Sequence, residues 1–408
     1  MPVSVIVGAS QGGGTAAATL REEGYDGRIV LVGAEPLAPY ERPPLSKEFL
    51  RGERPFEESF LRPEGWYEDH DVELRLGTHV ERIDTDDRSV VLDGGERIAF
   101  DQAVIATGSR NRRPPIPGID LENVFSLRTA AEAQAIVDVA KGATHAVLVG
   151  MGFIGAEVAA SLRHLGLGVT VVEFAETPLQ RVLGPDLGRV LERLHRDHGV
   201  EMVFGTGAER FEGKDRFGAL VTNTGKTIEG DFAVVGIGVE PVTDVADGSA
   251  LEVDNGILVD AALRTNVAGV FAIGDVARHD HPVFGPIRVE HYDNALKMGA
   301  HVAGSMLGRN DPFDDAHWFW SDQYDADIQM AGFAIEWDEM VVRGNMEERE
   351  FAAFLLKNGQ LLSVFSMNRP KDVRRSMKLI QARAHPSPAE LADPDVDLRT
   401  LVSPDGKR

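Results

Sequence analysis

Two glycine-rich turns, about one domain apart, hold the residues best spaced for chemistry. Gly150, Gly152 and Gly155 follow the apolar run Ala146–Val149 and precede a helical stretch, after which Val169–Val172 ends on Glu173. Strand, glycine turn, helix, strand and acid in that order form a dinucleotide-binding fingerprint. The first glycine permits the tight turn, the second lets a pyrophosphate approach the backbone, and the third lets helix pack on strand. Phe153 and Ile154 open the helix, and Gly236-Ile237-Gly238 closes a later apolar strand on the same nucleotide side. Glu173 stands where a carboxylate accepts ribose hydroxyls. A 2′-phosphate there would meet like charge, so NADH is expected over NADPH. The other turn follows Val5-Ile6-Val7 and contains Gly8, Gly12 and Gly13, with Ser10 in place of the middle glycine. A small side chain still permits close approach, and its hydroxyl can donate to phosphate. Ile29–Val32 then leads to Glu35 at the ribose position. Two such sites imply two dinucleotides, one passing electrons to the other.

Composition narrows where those electrons can go. The chain has 408 residues, a net charge of -23 and no cysteine. Without cysteine there is no disulfide relay, no thiolate-bound metal and no cysteine-ligated iron–sulfur cluster within the chain. His79, His281 and His291 lack ligand spacing, so no metal site is expected. The acidic balance argues against nucleic acid, because a polyanion is repelled. The N-terminus runs straight into a strand, with no basic leader and no long apolar run, which points to a cytoplasmic protein without a membrane span.

The elements that must position these residues repeat one plan twice: fingerprint, meander, then an apolar strand ending in glycine. In the first copy the meander covers Val80 to Phe100 and the strand ends at Ala106-Thr107-Gly108. In the second, a helix near Asp186–His198 and a hairpin over 219–232 lead to Gly236. This repetition predicts an α/β chain with two Rossmann-like dinucleotide-binding domains, each a βαβ unit in a three-layer ββα sandwich. Residues 1–110 and 242–316 are assigned to one domain and 111–241 to the other. Aromatic and β-rich runs from Trp318 onward predict a C-terminal α+β domain over 317–408, ending in a basic helix. A helix over 294–307 is expected, capped by Asp293 or Asn294.

Further motifs carry a resemblance. Tyr40-Glu41-Arg42-Pro43-Pro44-Leu45-Ser46-Lys47, Ala106-Thr107-Gly108, Arg128 in Leu127-Arg128-Thr129, Gly274-Asp275, Arg288 to Ala295 and Trp318-Phe319-Trp320-Ser321-Asp322-Gln323 occur in this order along essentially the whole chain. In these it resembles the FAD-dependent pyridine-nucleotide oxidoreductases with a glutathione-reductase-like fold. More narrowly it resembles the reductases that feed ferredoxins of putidaredoxin, rhodocoxin and Rieske-dioxygenase systems. The resemblance implies FAD at the first turn, with Gly8, Ser10, Gly12, Gly13, Glu35, Arg42, Val80, Arg128 and Glu290 on its side. It implies Lys47 near the flavin N5 edge, paired with Glu157, where a cation favours the reduced, anionic ring. Asp275 would bond the ribitol chain, and Tyr292 and Trp320 would contact the ring. The helix after Tyr292 would aim its free N–H groups at the flavin pyrimidine edge.

The implied activity is hydride transfer from NADH to FAD, followed by single-electron transfer to a [2Fe-2S] ferredoxin serving an oxygenase. An NADH oxidase or diaphorase, and a flavoprotein whose redox state controls assembly, are the alternatives. Small ferredoxins are acidic. The basic cluster Arg369, Lys371, Arg374, Arg375 and Lys378 is therefore a candidate docking patch.

Overall fold

The computed structural model describes residues 1–402. The chain forms two compact units, each assembled from separated segments. The first comprises Met1–Glu41, Glu57–Arg110 and Glu240–His317. Its central sheet is five parallel strands in the order Val270–Ala272, Gln102–Ile105, Val3–Val7, Arg28–Gly33, Val72–Leu76. The central strands are apolar at successive positions because both faces are covered. The antiparallel meander Val80–Asp84, Ser89–Leu92, Arg97–Ala99 supplies one cover, its chain reversing at Gly94 and Gly95 with positive φ. The helices Gln11–Glu22 and Tyr292–Met306 supply another; Ala16, Ala17, Leu20, Met298 and Val302 share one core with Val5, Ile6, Ile83 and Leu92. This is the expected three-layer arrangement.

The second unit comprises Arg42–Phe56, Asn111–Val239 and residues from Trp318 onward. It repeats the plan, with parallel strands ordered Val200–Val203, Gly168–Val172, His145–Val149, Phe232–Val235, Val124–Phe125. A second antiparallel meander, Ala208–Glu212, Ala219–Thr222, Thr227–Glu229, lies against Val147 and Val235 through Phe211, Leu220 and Ile228.

The C-terminal segment is a five-stranded antiparallel sheet ordered Trp318–Gln323, Ala326–Gly332, Gln360–Met367, Glu350–Lys357, Glu339–Asn345. Ile328, Met330, Phe351 and Phe365 pack against Leu183, Leu187, Val190 and Leu194 of the helix Gln180–Asp197. That helix begins earlier than the sequence pattern implied. Gly184, at φ 72°, interrupts it ahead of Pro185, so the apolar periodicity before the break reads as loop. The basic helix spans Pro370–Gln381 and packs on the strands Ala326–Gly332 and Gln360–Met367. No helix among the described residues is long and apolar enough to cross a membrane.

Candidate functional site

Both glycine turns are built by the same two close approaches. A Cβ on Gly8 would lie 2.1 Å from the Ala106 carbonyl oxygen, and one on Gly150 would lie 2.3 Å from that of Gly236. A Cβ on Gly13 would meet the Gly8 oxygen at 1.9 Å, and one on Gly155 the Gly150 oxygen at 2.2 Å. The turns therefore sit against Ala106-Thr107 in one unit and Gly236-Ile237 in the other, as each fingerprint requires. The middle position differs. A Cβ on Gly152 would meet nothing within 4 Å, so the backbone there borders open space. Neither helix that follows a turn carries an acid in its first turn. Their N-terminal N–H groups and positive dipole ends are left for an anion.

In the first unit the turn meets the helix Tyr292–Met306 closely. A Cβ on Gly299 would lie 2.5 Å from the Gly12 oxygen, so this glycine permits the helix crossing. The Gln11 Oε1 and Asn294 Oδ1 atoms are buried without a hydrogen-bond donor. Buried Asp275 accepts from Ser109 Oγ at 2.7 Å, and Thr107 Oγ1 donates to Val242 O at 2.7 Å. Glu35 accepts from Tyr40 OH at 2.6 Å. Tyr292 OH donates to Glu41 at 3.0 Å, and Glu290 pairs with Arg288 at 2.7 Å. The Val80 side chain belongs to the core, which leaves only its main chain for a ligand. The Tyr292–Met306 helix is capped at His291, not at Asp293 or Asn294. Asp293 lies inside the first turn, paired with Lys297 at 2.6 Å, and burial raises its carboxyl above the usual range. Asn294 donates to Val289 O at 3.1 Å. Burial pushes the His291 imidazole down to about 4.

In the second unit Lys47 and Glu157 meet. Lys47 Nζ lies 2.6 Å from Glu157 Oε2, with side chains only 5% and 2% exposed. Pro43–Ser46 forms a tight 3-10 turn, its prolines fixing φ at the start, and presents Lys47 at its end. Glu157 and Ser161 lie four residues apart on the helix Phe153–His164 and so share a face. Ser161 Oγ donates to Ser46 O at 2.7 Å, while Ser46 Oγ donates to Glu157 Oε2 at 2.5 Å. Ser321 Oγ donates to the other carboxylate oxygen, Oε1, at 2.7 Å. A buried carboxylate with three donors is well satisfied.

Nearby, Arg42 donates to the Arg128 carbonyl, and Glu132 accepts from the Arg128 and Thr129 amides in a capping box for the helix Ala130–Ala140. Trp320 stacks on Trp318 with centroids 5.1 Å apart, and Phe153 packs on Phe319 at 4.3 Å. Burial raises the Asp322 carboxyl above its ordinary value. Glu173 is held at both oxygens, by Met151 N–H at 2.6 Å and Ala175 N–H at 2.8 Å. Each oxygen retains a lone pair for a ribose hydroxyl. Ile154, Phe174 and Ile237 are exposed, an apolar set at the sheet's C-terminal edge.

Comparison with known proteins gives a family match over most of the chain: residues 3–299 match the pyridine nucleotide-disulphide oxidoreductase model. The chain belongs to the pyridine nucleotide-disulphide oxidoreductase family. Residues 318–402 also match a reductase C-terminal domain. Among relatives of this oxidoreductase, rhodocoxin reductase of Rhodococcus erythropolis is 39% identical over 98% of this chain and 94% of its own. The ferredoxin–NAD(+) reductase component of an anthranilate 1,2-dioxygenase system from Burkholderia cepacia is also 39% identical, over 98% of each chain. Putidaredoxin reductase, solved in covalent complex with putidaredoxin, superposes with a TM-score of 0.95 at 32% identity over 98% of both chains.

Sequence reasoning about this oxidoreductase missed Ser321 and Ser46 as partners of Glu157, and Phe174 beside Glu173. Ser321 sits within the Trp318–Gln323 motif, but nothing in a strand's alternation names a partner 164 residues away. Of the basic cluster, Arg374, Lys371 and Lys378 are exposed. Arg369 is bound to Asp372 at 2.6 Å, and half-buried Arg375 acts on Asp397. The patch is smaller than its sequence suggested, because the helix must also hold its own domain.

Proposed function

We propose that this chain is an NADH:ferredoxin reductase. It takes a hydride from NADH and passes two single electrons to two molecules of a small [2Fe-2S] ferredoxin that serves an oxygenase. NADH becomes NAD⁺, one proton is released, and each ferredoxin gains one electron. The observation that carries this reading is full-length similarity to ferredoxin reductases in a chain without cysteine, so no thiol can divert the electrons. The oxidase and redox-controlled assembly readings lack such a supporting observation.

FAD is assigned to residues 1–110 with 242–316, NADH to 111–241, and partner contact to 317–408. The fit rests on the glycine turns, the acid-free helix N-termini and the orphaned acceptors Gln11 and Asn294. When bound, FAD accepts electrons as a pair and releases them one at a time. The residues supply placement and charge. Gly8, Ser10, Gly12 and Gly13 cradle its pyrophosphate, Glu35 takes the ribose and Asp275 the ribitol. Val80 contributes through its main chain. Arg42, Arg128, Glu290, Tyr292 and Trp320 complete that side. Lys47, held by Glu157, sets positive charge where negative charge develops. Gly150, Gly152 and Gly155 hold the NADH pyrophosphate. Phe153, Ile154, Gly236, Ile237 and Gly238 border it, and Glu173 reads the ribose.

The purified protein should be yellow, with one acid-extractable FAD per chain. A colourless protein that cannot be reconstituted contradicts the assignment. Glu173→Gln should narrow the preference for NADH over NADPH by about tenfold, through relief of like charge. Equal wild-type kcat/KM for both coenzymes contradicts the role of Glu173.

Docking is assigned to the exposed cations Lys371, Arg374 and Lys378 in a cytoplasmic setting. Arg374→Glu with Lys378→Glu should lower ferredoxin-dependent turnover about tenfold at low salt, since lost steering acts on association. Ferricyanide reduction, which needs no docking, should stay unchanged. An unaltered ferredoxin rate places docking elsewhere.

A further inference from the structure

The hydrogen bonds that hold Glu157 do not stop at Ser321. Gln323 Nε2 donates to Ser321 Oγ at 3.1 Å, and Gln323 Oε1 lies 2.9 Å from His195 Nε2. His195 Nδ1 lies 2.9 Å from Tyr324 OH, whose ring stacks on His198 with centroids 3.7 Å apart. Ser321, Gln323 and His195 are fully buried.

We propose that Ser321, Gln323 and His195 are positioning residues that fix the Glu157 carboxylate and, through it, the Lys47 ammonium for flavin reduction. The proposal rests on the role given to Lys47 above.

Three observations carry it. The first is the pattern of the edge strand Trp318–Gln323. Phe319, Ser321 and Gln323 alternate onto one face, where they meet Phe153, Glu157 and His195. A strand covering two helices would ordinarily place apolar residues at all three positions, because a buried polar group is costly unless paired. Two of the three are polar, and both are paired.

The second is direction. Burial pushes the His195 imidazole down to about 4, so at neutral pH it has a single N–H. If that N–H pointed to Tyr324, Nε2 would have to accept from the Gln323 amide. The Gln323 oxygen would then take the Ser321 proton, leaving two bare oxygens 2.7 Å apart at Glu157. The chain therefore runs one way. Tyr324 O–H donates to His195, His195 to Gln323, Gln323 to Ser321, and Ser321 to Glu157. A one-way chain ending on a carboxylate holds that carboxylate in one rotamer.

The third is convergence. Glu157 Oε2 already receives Lys47 and Ser46, so Ser321 is the donor that pins the opposite oxygen. Without it the carboxylate can turn and carry the ammonium with it.

The test uses the FAD-loaded enzyme under anaerobic conditions. For Ser321→Ala and Gln323→Leu, the NADH dissociation constant should stay within about twofold. Flavin bleaching at saturating NADH should slow about tenfold, on the scale of one lost buried hydrogen bond to a charge. Equilibrium against a reference dye should show reduction about tenfold less favourable, roughly 30 mV for a two-electron couple. Ser321→Thr keeps the hydroxyl and should restore both rate and potential, which a role in packing alone would not. If Ser321→Ala does not fold, Ser321→Cys, with similar volume and a weak donor, should show the same direction of change. Folded, flavin-loaded variants with wild-type rate and potential overturn the proposal alone. A wild-type protein that binds no flavin overturns the functional reading as well.

Discussion

Gly150→Ala is expected to remove NADH-dependent reduction almost entirely while FAD stays bound. The added Cβ would lie 2.3 Å from the Gly236 oxygen and 2.8 Å from its carbon, both backbone atoms. Gly150 also holds φ at 98°, which an L side chain rarely adopts. The turn must move, and the helix N-terminus assigned above to the pyrophosphate moves with it. A displacement near 1 Å costs about 10²-fold in a positioned reaction. FAD content should remain at one per chain, because the first turn lies in the other compact unit and has its own contacts at Ala106. Gly152→Ala is the contrast. Its Cβ meets no protein atom, so the fold should be untouched and any loss of NADH affinity reports the ligand's own approach. Titration of flavin bleaching against NADH for the two variants separates the effects. Wild-type bleaching in Gly150→Ala would contradict the placement of NADH.

Lys47→Met should cost both stability and rate, and the two losses should separate. Removing the lysine leaves Glu157 as a buried charge without its cation, a change worth about 3–5 kcal/mol. Adding Glu157→Gln should recover most of that in denaturant unfolding, because the amide still serves Ser46 and Ser321 without a net charge. Flavin reduction by NADH should stay slow in the double variant, since no cation remains. Recovery of rate together with stability would assign the pair a structural role only.

Much of this was legible in the sequence because the decisive interactions are local. Gly150, Gly152 and Gly155 declare their turn through spacing, and Asp93-Gly94-Gly95 marks a chain reversal by residue type alone. The repetition of the plan made the three-layer units readable twice. What escaped depends on distant partners. His291, not Asp293, holds the N-cap position of its helix, without a side-chain capping bond, and Asp293 lies inside the first turn, paired with Lys297. The Arg42–Phe56 segment groups with residues far along the chain, which no contiguous reading of the first 110 residues suggests. Ser321, Gln323 and His195 looked like ordinary polar residues, since their meaning lies in a hydrogen-bond chain that joins three segments. The basic helix showed its charges but not the acids Asp372 and Asp397 that engage two of them.

The most direct test of the central claim is anaerobic turnover with a small [2Fe-2S] ferredoxin, following NADH and the ferredoxin chromophore together. The expected result is two ferredoxins reduced per NADH consumed, at a rate far above NADH consumption with oxygen as the sole acceptor. NADH consumption that is equally fast with oxygen alone, or that leaves every ferredoxin offered oxidised, would contradict the assignment as a ferredoxin reductase.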